Sequence, residues 1–313
     1  MQIINSLVPI FSVIGLGMLL RWNGFLTKES TQAFNRFAYF FALPLFLFYK
    51  LSAAEKVTGT GNLIFVVLLL SVVITFVIAW VSSVVSNTAI ISRGAAIQAG
   101  FRGNLAFVGL PVVIFLIEGV PLEQRGPIEA AVLLALTPVI LFFNVGSVVA
   151  LATYNGDTEK QFSYGGMFLN IAKNPLIWAC VGGALFQYFD LAVPTAIGRT
   201  CRVVGASAFP LALLGIGSQL ISIPSSSGWK STVIPAVNKC VVCPLVGWGV
   251  GLLFGLSGVA LQVTVILCAM PTSVSSYVLT EQMKGNADLA AGAVVVSTVA
   301  SLPMLAILIW LTG

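Results

Sequence analysis

Histidine is absent from this sequence of 313 residues, and charged residues make up only 8% of it. Without histidine, the chain cannot use Ser-His-Asp or Cys-His catalysis, histidine metal ligands or a histidine-based pH switch. A soluble domain carries about 25% charged residues, so this chain cannot cover a globule with polar surface. These two shortages exclude a soluble enzyme.

Acidic residues are also scarce, and all ten lie between the long apolar runs or near their ends. A proton-coupled pump usually keeps a carboxylate or a histidine inside the membrane, and no apolar run holds either at its centre. The pattern therefore disfavours such a pump and a cationic substrate, and it favours an anionic substrate.

Cysteine and basic residues indicate neither a metal centre nor a nucleic-acid partner. The five cysteines lie in or beside apolar runs, and Cys240-Val-Val-Cys243 has no second pair or histidine to complete a zinc site. We therefore predict no metal and no other cofactor. The net charge of +5 is scattered between apolar runs, which indicates orientation in a membrane rather than nucleic-acid binding.

Apolar runs of about twenty residues, the length that a membrane-spanning helix needs, dominate the sequence. They predict an all-α polytopic membrane protein with ten spans and no room for a soluble domain. The predicted spans are Ile3–Leu20, Ala33–Leu51, Asn62–Val84, Gln98–Ile117, Ile128–Thr153, Asn170–Phe189, Val203–Ile221, Thr232–Phe254, Val263–Lys284 and Leu289–Leu311.

Prolines recur at a nearly constant offset, which indicates an internal repeat. Matching prolines lie 160 to 166 residues apart, in the pairs Pro9 and Pro175, Pro44 and Pro210, Pro111 and Pro271, and Pro138 and Pro303. Five spans is an odd number, so the second repeat enters the membrane from the opposite face. The pattern predicts inverted repeats at 1–153 and 170–313, joined by a short cytoplasmic connection at 154–169.

Lysine and arginine set the orientation, because cytoplasmic loops carry an excess of both. The loops on one side of the predicted spans carry nine of these residues and those on the other side carry five. The first side is therefore predicted to be the cytoplasm, which places both termini outside the cell.

Spans four and nine contain residues that interrupt a helix, in Gly100–Pro111 and Cys268–Leu279. Proline removes one backbone N–H and its ring clashes with the carbonyl four residues earlier. Broken helices within a membrane must be buried in protein or line a water-filled cavity. A matching pair of them, one in each repeat, is the best sequence indication of a transport site.

The N-terminal ends of half-helices carry partial positive charge and suit carboxylates. Side chains and flexible backbone near the two breaks form the candidate substrate site. An alternative is that both helices are only kinked, with hydroxyls bonded back to their own backbone. The candidate residues are Asn104, Gly109, Pro111, Pro271, Thr272, Ser273, Ser275, Ser276 and Asn144.

Two further polar residues, Arg102 and Lys239, fall within or beside spans, as does the candidate Asn144. Arg102 is nine residues before Pro111 and is predicted near the cytoplasmic surface, as a headgroup anchor or entry charge. Lys239 in span eight either snorkels to the interface or attracts the substrate. Asn144 faces either the crossover or a neighbouring helix.

Several stretches of the sequence resemble the auxin efflux carrier family, whose members include plant auxin exporters and bacterial malate and malonate permeases. Asn174-Pro-Leu-Ile177 is similar to the sixth helix of the family. The four main stretches are Val8-Pro-Ile-Phe through Arg21-Trp-Asn-Gly-Phe-Leu, Asn35-Arg-Phe-Ala-Tyr-Phe-Phe-Ala-Leu-Pro44, Phe101-Arg-Gly-Asn-Leu-Ala-Phe-Val-Gly-Leu-Pro111, and Met270-Pro-Thr-Ser-Val-Ser-Ser-Tyr-Val-Leu-Thr-Glu281 followed by Ala290 to Ser301.

The resemblance implies two inverted five-helix repeats, as in bile-acid symporters and sodium–proton antiporters. It implies that helices four and nine cross at Pro111 and Pro271, and that Asn104 and Asn144 are polar site residues. Helices 1, 2, 6 and 7 would form a scaffold, and helices 3–5 and 8–10 a transport domain that moves like an elevator. The short connection from Tyr154 to Phe168 resembles the compact bacterial type, in the inner membrane. The family often has asparagine where this chain has Ser275, which leaves the substrate open.

The expected function is therefore secondary transport of a small organic anion, a mono- or dicarboxylate similar to auxin, malate or malonate. The expected partners are this anion and the lipid bilayer. The coupling ion, sodium or proton, stays open, as does a homodimer, which relatives of this fold often form. Alternatives are a sodium-coupled carrier of the bile-acid-symporter type and a sensor or channel on the same fold. An intramembrane enzyme is disfavoured, since the sequence has no paired aspartate motif and no GxSxG.

Overall fold

The computed structural model describes residues 2–54, 60–154, 174–222 and 229–312, and its regular structure is helical. Most of the predicted connection at 154–169 lies outside these residues. The helices are α1 (Gln2–Trp22), α2 (Lys28–Phe37), α3 (Leu43–Ser52), α4 (Thr60–Val85), α5 (Ile90–Phe101), α6 (Leu110–Ile117), α7 (Leu122–Tyr154), α8 (Pro175–Tyr188), α9 (Thr195–Ala206), α10 (Ala208–Ser222), α11 (Trp229–Val237), α12 (Cys243–Leu253), α13 (Gly258–Cys268), α14 (Ser275–Gln282) and α15 (Ala287–Thr312).

Several of these helices are long and apolar enough to cross a membrane. Among the described residues, five stretches meet that condition by length and composition, and shorter apolar helices accompany them. The chain is thus a multi-pass membrane protein, as predicted, whereas the number of ten spans and their inverted arrangement stay predictions. The five stretches are Asn62–Val85, Glu123–Tyr154, Thr195–Ile221, Ser231–Leu253 and Ala287–Thr312.

Helices begin earlier than predicted in spans two, four and seven, at Lys28, Ile90 and Thr195. The first turns of these helices carry charged residues, which lower local hydropathy and hide the start of the helix from an apolar-run search. Side-chain capping fixes one of these starts. The backbone N–H of Ser30 donates to Thr27 Oγ1 at 3.2 Å, and the N–H of Thr27 donates to Ser30 Oγ at 2.9 Å.

Prolines explain the positions of the π-helical turns, which are wider than α-helical turns. In the described part of the chain, three π-helical segments each end two residues before a proline. Proline leaves the carbonyl four residues earlier without its partner, so the preceding turn opens to bonds that span five residues. The Cys243 N–H, for example, donates to the Asn238 carbonyl. The segments are Ala38–Ala42 before Pro44, Leu105–Gly109 before Pro111, and Asn238–Val242 before Pro244.

The chain divides into two compact units. The first comprises Met1–Phe65, Leu110–Thr137 and Leu169–Ser222. Within it α1 packs along α10, and α3 packs against α8 and α9. The contact between α1 and α10 is so close that a Cβ on Gly217 would lie 1.9 Å from the Ile14 carbonyl oxygen. Only glycine permits this approach.

The second unit comprises Val66–Gly109, Pro138–Phe168 and Ile223–Gly313. Within it α11 and α13 pack against α15, and α5 packs against both α11 and α15. Phe101 ends α5 and is fully buried, with its ring centroid 4.9 Å from that of Phe76 and 5.8 Å from that of Phe143. This aromatic cluster anchors the end of α5 immediately before the chain leaves the helix.

The predicted scaffold and transport domains stay a prediction. The two units differ from them at the start of span three, which lies in the first unit up to Phe65, and in spans four and five. Spans one, two, six and seven, which are α1 to α3 and α8 to α10, lie in the first unit. Leu110–Thr137, the second half of span four and the first half of span five, also lies there. The break in span four and the 33-residue length of α7 allow the halves of these spans to belong to different units.

Candidate functional site

Two helices of the second unit are interrupted at the same place. Helix α5 ends at Phe101, and Arg102 then adopts an extended conformation with φ −79° and ψ 98°. Helix α13 ends at Cys268, and α14 begins only at Ser275. The two interruptions meet in an isolated antiparallel bridge between Gly103 and Thr272. We call the residues Arg102–Asn104 and Ala269–Val274 the crossover.

Backbone hydrogen bonds hold the crossover together. The N–H of Asn104 donates to the carbonyl of Pro271 at 2.8 Å, and the N–H of Ser273 donates to the carbonyl of Arg102 at 3.0 Å. Each interrupted helix thereby supplies partners for the other, as buried polar backbone requires. Neither sequence motif alone predicts this short antiparallel contact inside a helical unit.

The interruption of span four is not at Pro111, where sequence reasoning placed it. Pro111 is the second residue of α6 and belongs to the first unit. The preceding π-helical segment Leu105–Gly109 absorbs the hydrogen bond that this proline removes. The helix breaks instead around Gly103, where a Cβ would lie 2.8 Å from Cε of Lys239. Pro271 does lie within the interruption of span nine.

Thr272 is part of the architecture of the crossover. It is 1% exposed. Its backbone N–H donates to Ser297 Oγ at 3.0 Å, and its hydroxyl donates to the Ala99 carbonyl at 2.8 Å. Both donors of Thr272 are therefore used within the protein, so neither is available to a substrate.

Gln98 ties the first half of span four to the second half of span nine, and sequence reasoning missed it. Its Nε2 donates to the Ser276 carbonyl at 2.7 Å and to Thr280 Oγ1 at 2.8 Å. All three side chains are fully buried. In the described part of the chain, Gln98 Oε1 and Ser276 Oγ are buried oxygens without a hydrogen-bond partner.

Asn104 is the predicted residue best placed to bind a ligand. It is 5% exposed and follows Gly103 directly in the crossover. Its backbone carbonyl accepts from the N–H groups of Val108 and Gly109 at 3.2 and 3.0 Å. Within the described ranges its side-chain amide makes no hydrogen bond, and it is not among the polar groups sealed from solvent. An accessible amide without a protein partner is suited to a bound molecule.

Gly109, Ser273 and Ser275 occupy different environments near the crossover. A Cβ on Gly109 would lie 3.0 Å from Cγ of Met270, so this glycine serves close packing. Ser273 is half-buried within the crossover, and Ser275 is exposed at the start of α14. The structure thus places Asn104, Pro271 and Ser273 in the crossover and Ser275 directly after it. Pro111 lies in α6.

Arg102 lies in the crossover itself and contacts Asn144, which argues against a headgroup anchor, whereas its predicted role as an entry charge stays a prediction. It is half-buried, and its Nη2 donates to Oδ1 of Asn144 at 2.9 Å. Asn144 therefore faces the crossover and orients this guanidinium. The prediction had measured the position of Arg102 from Pro111, whereas the helix is interrupted at Arg102 itself.

Lys239 is 1% exposed and therefore does not snorkel to the membrane interface. It lies on the π-helical segment Asn238–Val242, against Gly103 of the crossover. The signal for this position was present in the sequence, because Pro244 follows five residues later and produces that segment. Among the described residues, no group of three or more potential metal-binding side chains is found.

Comparison with known proteins identifies the family of this chain. The model of a family described as membrane transport protein matches residues 2–141 and 158–309, nearly the whole chain. The chain belongs to the auxin efflux carrier family. Auxin efflux carrier component 5 of Arabidopsis thaliana is 23% identical, over 97% of this chain and 95% of that relative.

Two further relatives of this auxin efflux carrier family member span similar lengths. Probable auxin efflux carrier component 5a of Oryza sativa subsp. japonica is 21% identical, over 97% of this chain and 95% of that relative. An uncharacterized transporter of Methanocaldococcus jannaschii is 20% identical, over 92% of both chains. The protein is therefore a membrane transport protein, and its crossover is the candidate substrate site.

Proposed function

We propose that this family member is a secondary transporter that moves a small organic anion, a mono- or dicarboxylate, by elevator-type alternating access. The side-chain amide of Asn104 is the observation that carries the proposal. It is buried at the meeting point of two interrupted helices and, in the described part of the chain, makes no hydrogen bond. An unused amide in such a place suits a carboxylate oxygen.

Positive charge at the crossover supports an anionic substrate. Arg102 offers a planar guanidinium, which matches carboxylate geometry, and Asn144 orients it. Helix α14 begins at Ser275 beside the crossover, and the N-terminus of a helix carries about half a positive charge. The amide, the guanidinium and the helix end lie together in one unit.

Helix pairing in the first unit supports the inverted repeats. Span one contacts span seven through α1 and α10, and span two contacts span six through α3 and α8. In the predicted repeat, span one corresponds to span six and span two corresponds to span seven. The contact of span one with span seven therefore corresponds to the contact of span six with span two, as a repeat predicts. We propose ten spans in the cytoplasmic membrane, with both termini outside and with scaffold and transport domains that move relative to each other.

A sodium-coupled carrier is the second candidate. One observation favours it, namely the two buried oxygens Gln98 Oε1 and Ser276 Oγ, which lack partners among the described residues. Hydroxyl and amide oxygens are suitable ligands for a hard cation. No carboxylate is needed for such a site if backbone carbonyls complete it.

Thermal stabilisation of the purified protein by a panel of carboxylates tests the proposal. The panel contains malonate, malate and indole-3-acetate, each with and without sodium and at two pH values. We expect at least one acid to raise the melting temperature in the wild type, and Asn104→Asp to abolish the shift by charge repulsion. Stabilisation by sodium alone would favour the second candidate. No shift with any acid would contradict the anion carrier.

A further inference from the structure

Lys239 is a buried cation beside the crossover, and the proposed substrate site does not include it. It is among the largest fully buried side chains of the protein, although lysine is almost never fully buried without a partner. It lies on the π-helical segment Asn238–Val242, which Pro244 produces. Short π-helical segments inside α-helices occur frequently at functional sites.

The ammonium group of Lys239 has two contacts. Its Nζ donates to the backbone carbonyl of Cys268, and it donates to Sγ of Cys243 at 3.4 Å. Cys268 ends α13, so the ammonium caps the C-terminal end of that helix. A helix end carries only about half a negative charge, which leaves part of the lysine charge without compensation.

No carboxylate completes the compensation. The ion pair found among the described residues does not involve Lys239. It joins Lys50 to Glu129 at 2.8 Å, in the first unit. The described acidic residues of the second unit, Glu281 and Asp288, are exposed. Burying a charge is costly unless an opposite charge accompanies it. Within the described part of the second unit, Lys239 therefore has no carboxylate partner, and its contacts are the Cys268 carbonyl and the Cys243 thiol.

Lys239 packs against Gly103, the residue that precedes Asn104 in the crossover. A Cβ on Gly103 would lie 3.3 Å from Lys239 Nζ, so the ammonium lies directly behind the residue that precedes Asn104. Charges interact strongly over several ångströms where water is excluded. An anion that bound to the Asn104 amide would be attracted by Lys239 without touching it.

We propose that Lys239 determines the charge specificity of the site, because its ammonium makes the crossover select anions over uncharged molecules of the same shape. This inference rests on the proposed function. Lys239 is a positioning residue that acts through its electric field across Gly103. A role limited to capping α13 would require only a hydrogen-bond donor, and the two roles can be separated by substitution.

The test measures affinity for acids and for their amides, which match the acids in shape but carry no charge. The probes are malonate with malonamide, and indole-3-acetate with indole-3-acetamide. Lys239→Gln keeps a donor for the Cys268 carbonyl but removes the charge, Lys239→Met removes both, and Lys239→Arg keeps the charge. Lys284→Gln removes an exposed charge from the same unit and serves as the control.

We expect the wild type to prefer acid over amide by tenfold or more, and Lys239→Gln to lose most of that preference through weaker acid binding. Lys284→Gln should keep the wild-type ratio. If Lys239→Gln also keeps it, Lys239 only caps the helix and the inference is wrong. If the wild type binds neither acid, the proposed function fails first, which is a distinct result. Should Lys239→Met not fold, the comparison of Lys239→Gln with Lys239→Arg still decides.

Discussion

The backbone N–H of Asn104 donates to the carbonyl of Pro271 at 2.8 Å. The residue whose side-chain amide is available to a ligand is thus held by the interruption of a different helix, 167 residues away in the sequence. Because the two interruptions share hydrogen bonds, the geometry of the candidate site depends on both interrupted helices.

Replacement of Asn104 is expected to remove binding without removing the fold. Asn104→Ala deletes an amide that makes no hydrogen bond within the described part of the protein, while the backbone bond to Pro271 remains. We expect carboxylate affinity to fall by tenfold or more and the melting temperature without ligand to change by little. Isothermal titration and thermal unfolding check the two effects, and unchanged affinity would remove Asn104 from the site.

Replacement of Thr272 is expected to lower stability and to leave substrate preference unchanged, the opposite of the effect expected for Asn104. Thr272→Val leaves the Ala99 carbonyl without its donor, and a buried unsatisfied group costs about 1–3 kcal/mol. Thr272→Ser keeps the hydroxyl and is the control. We expect the valine variant to unfold at a lower temperature and to keep the wild-type preference among acids. A changed preference with normal stability would show that Thr272 contacts the substrate.

Arg102 and Asn144 are expected to act as a pair. Their side chains are 2.9 Å apart, so Asn144→Ala should leave the guanidinium of Arg102 less well oriented. A double-mutant cycle with Arg102→Gln and Asn144→Ala, read through carboxylate affinity, should give a coupling energy of about 0.5–3 kcal/mol. Strictly additive effects of the two substitutions would mean that Asn144 does not orient Arg102 for binding.

Two glycines of the first unit offer a matched test of helix packing. A Cβ at Gly217 would lie 1.9 Å from the Ile14 carbonyl oxygen, whereas a Cβ at Gly15 has nothing within 4 Å. Gly217→Ala should therefore destabilise the protein by about 1–3 kcal/mol through overpacking. Gly15→Ala should be neutral or stabilising. Equal melting temperatures for the two variants would contradict the close contact between α1 and α10.

Membrane orientation can be read with a fusion reporter. A periplasmically active enzyme attached after Gly313 is expected to be active, because the distribution of lysine and arginine places the C-terminus outside the cell. A reporter attached at residue 156, in the predicted cytoplasmic connection, serves as the opposite control. An inactive C-terminal fusion together with an active fusion at residue 156 would reverse the topology.

Local sequence predicted much of the fold, since apolar runs and prolines act on the chain near their own positions. Hydrophobic runs placed most helices correctly, with starts missed where charged first turns interrupt the pattern, as at Ile90. The resemblance also identified Asn104 as a candidate. That identification rested on the residue type alone. Nothing in the sequence indicated that the side-chain amide would lack a hydrogen-bond partner.

The sequence by itself determined that this protein is helical, resides in a membrane and interrupts two of its helices, because low charge, run length and helix-interrupting residues are local properties. Only the tertiary structure decided where the interruptions meet. Gly103 rather than Pro111 lies at the crossover, where it pairs with Thr272 and where Lys239 leaves no space for a side chain. The burial of Lys239 and the inward position of Arg102 depend on packing between distant segments, which no local pattern records.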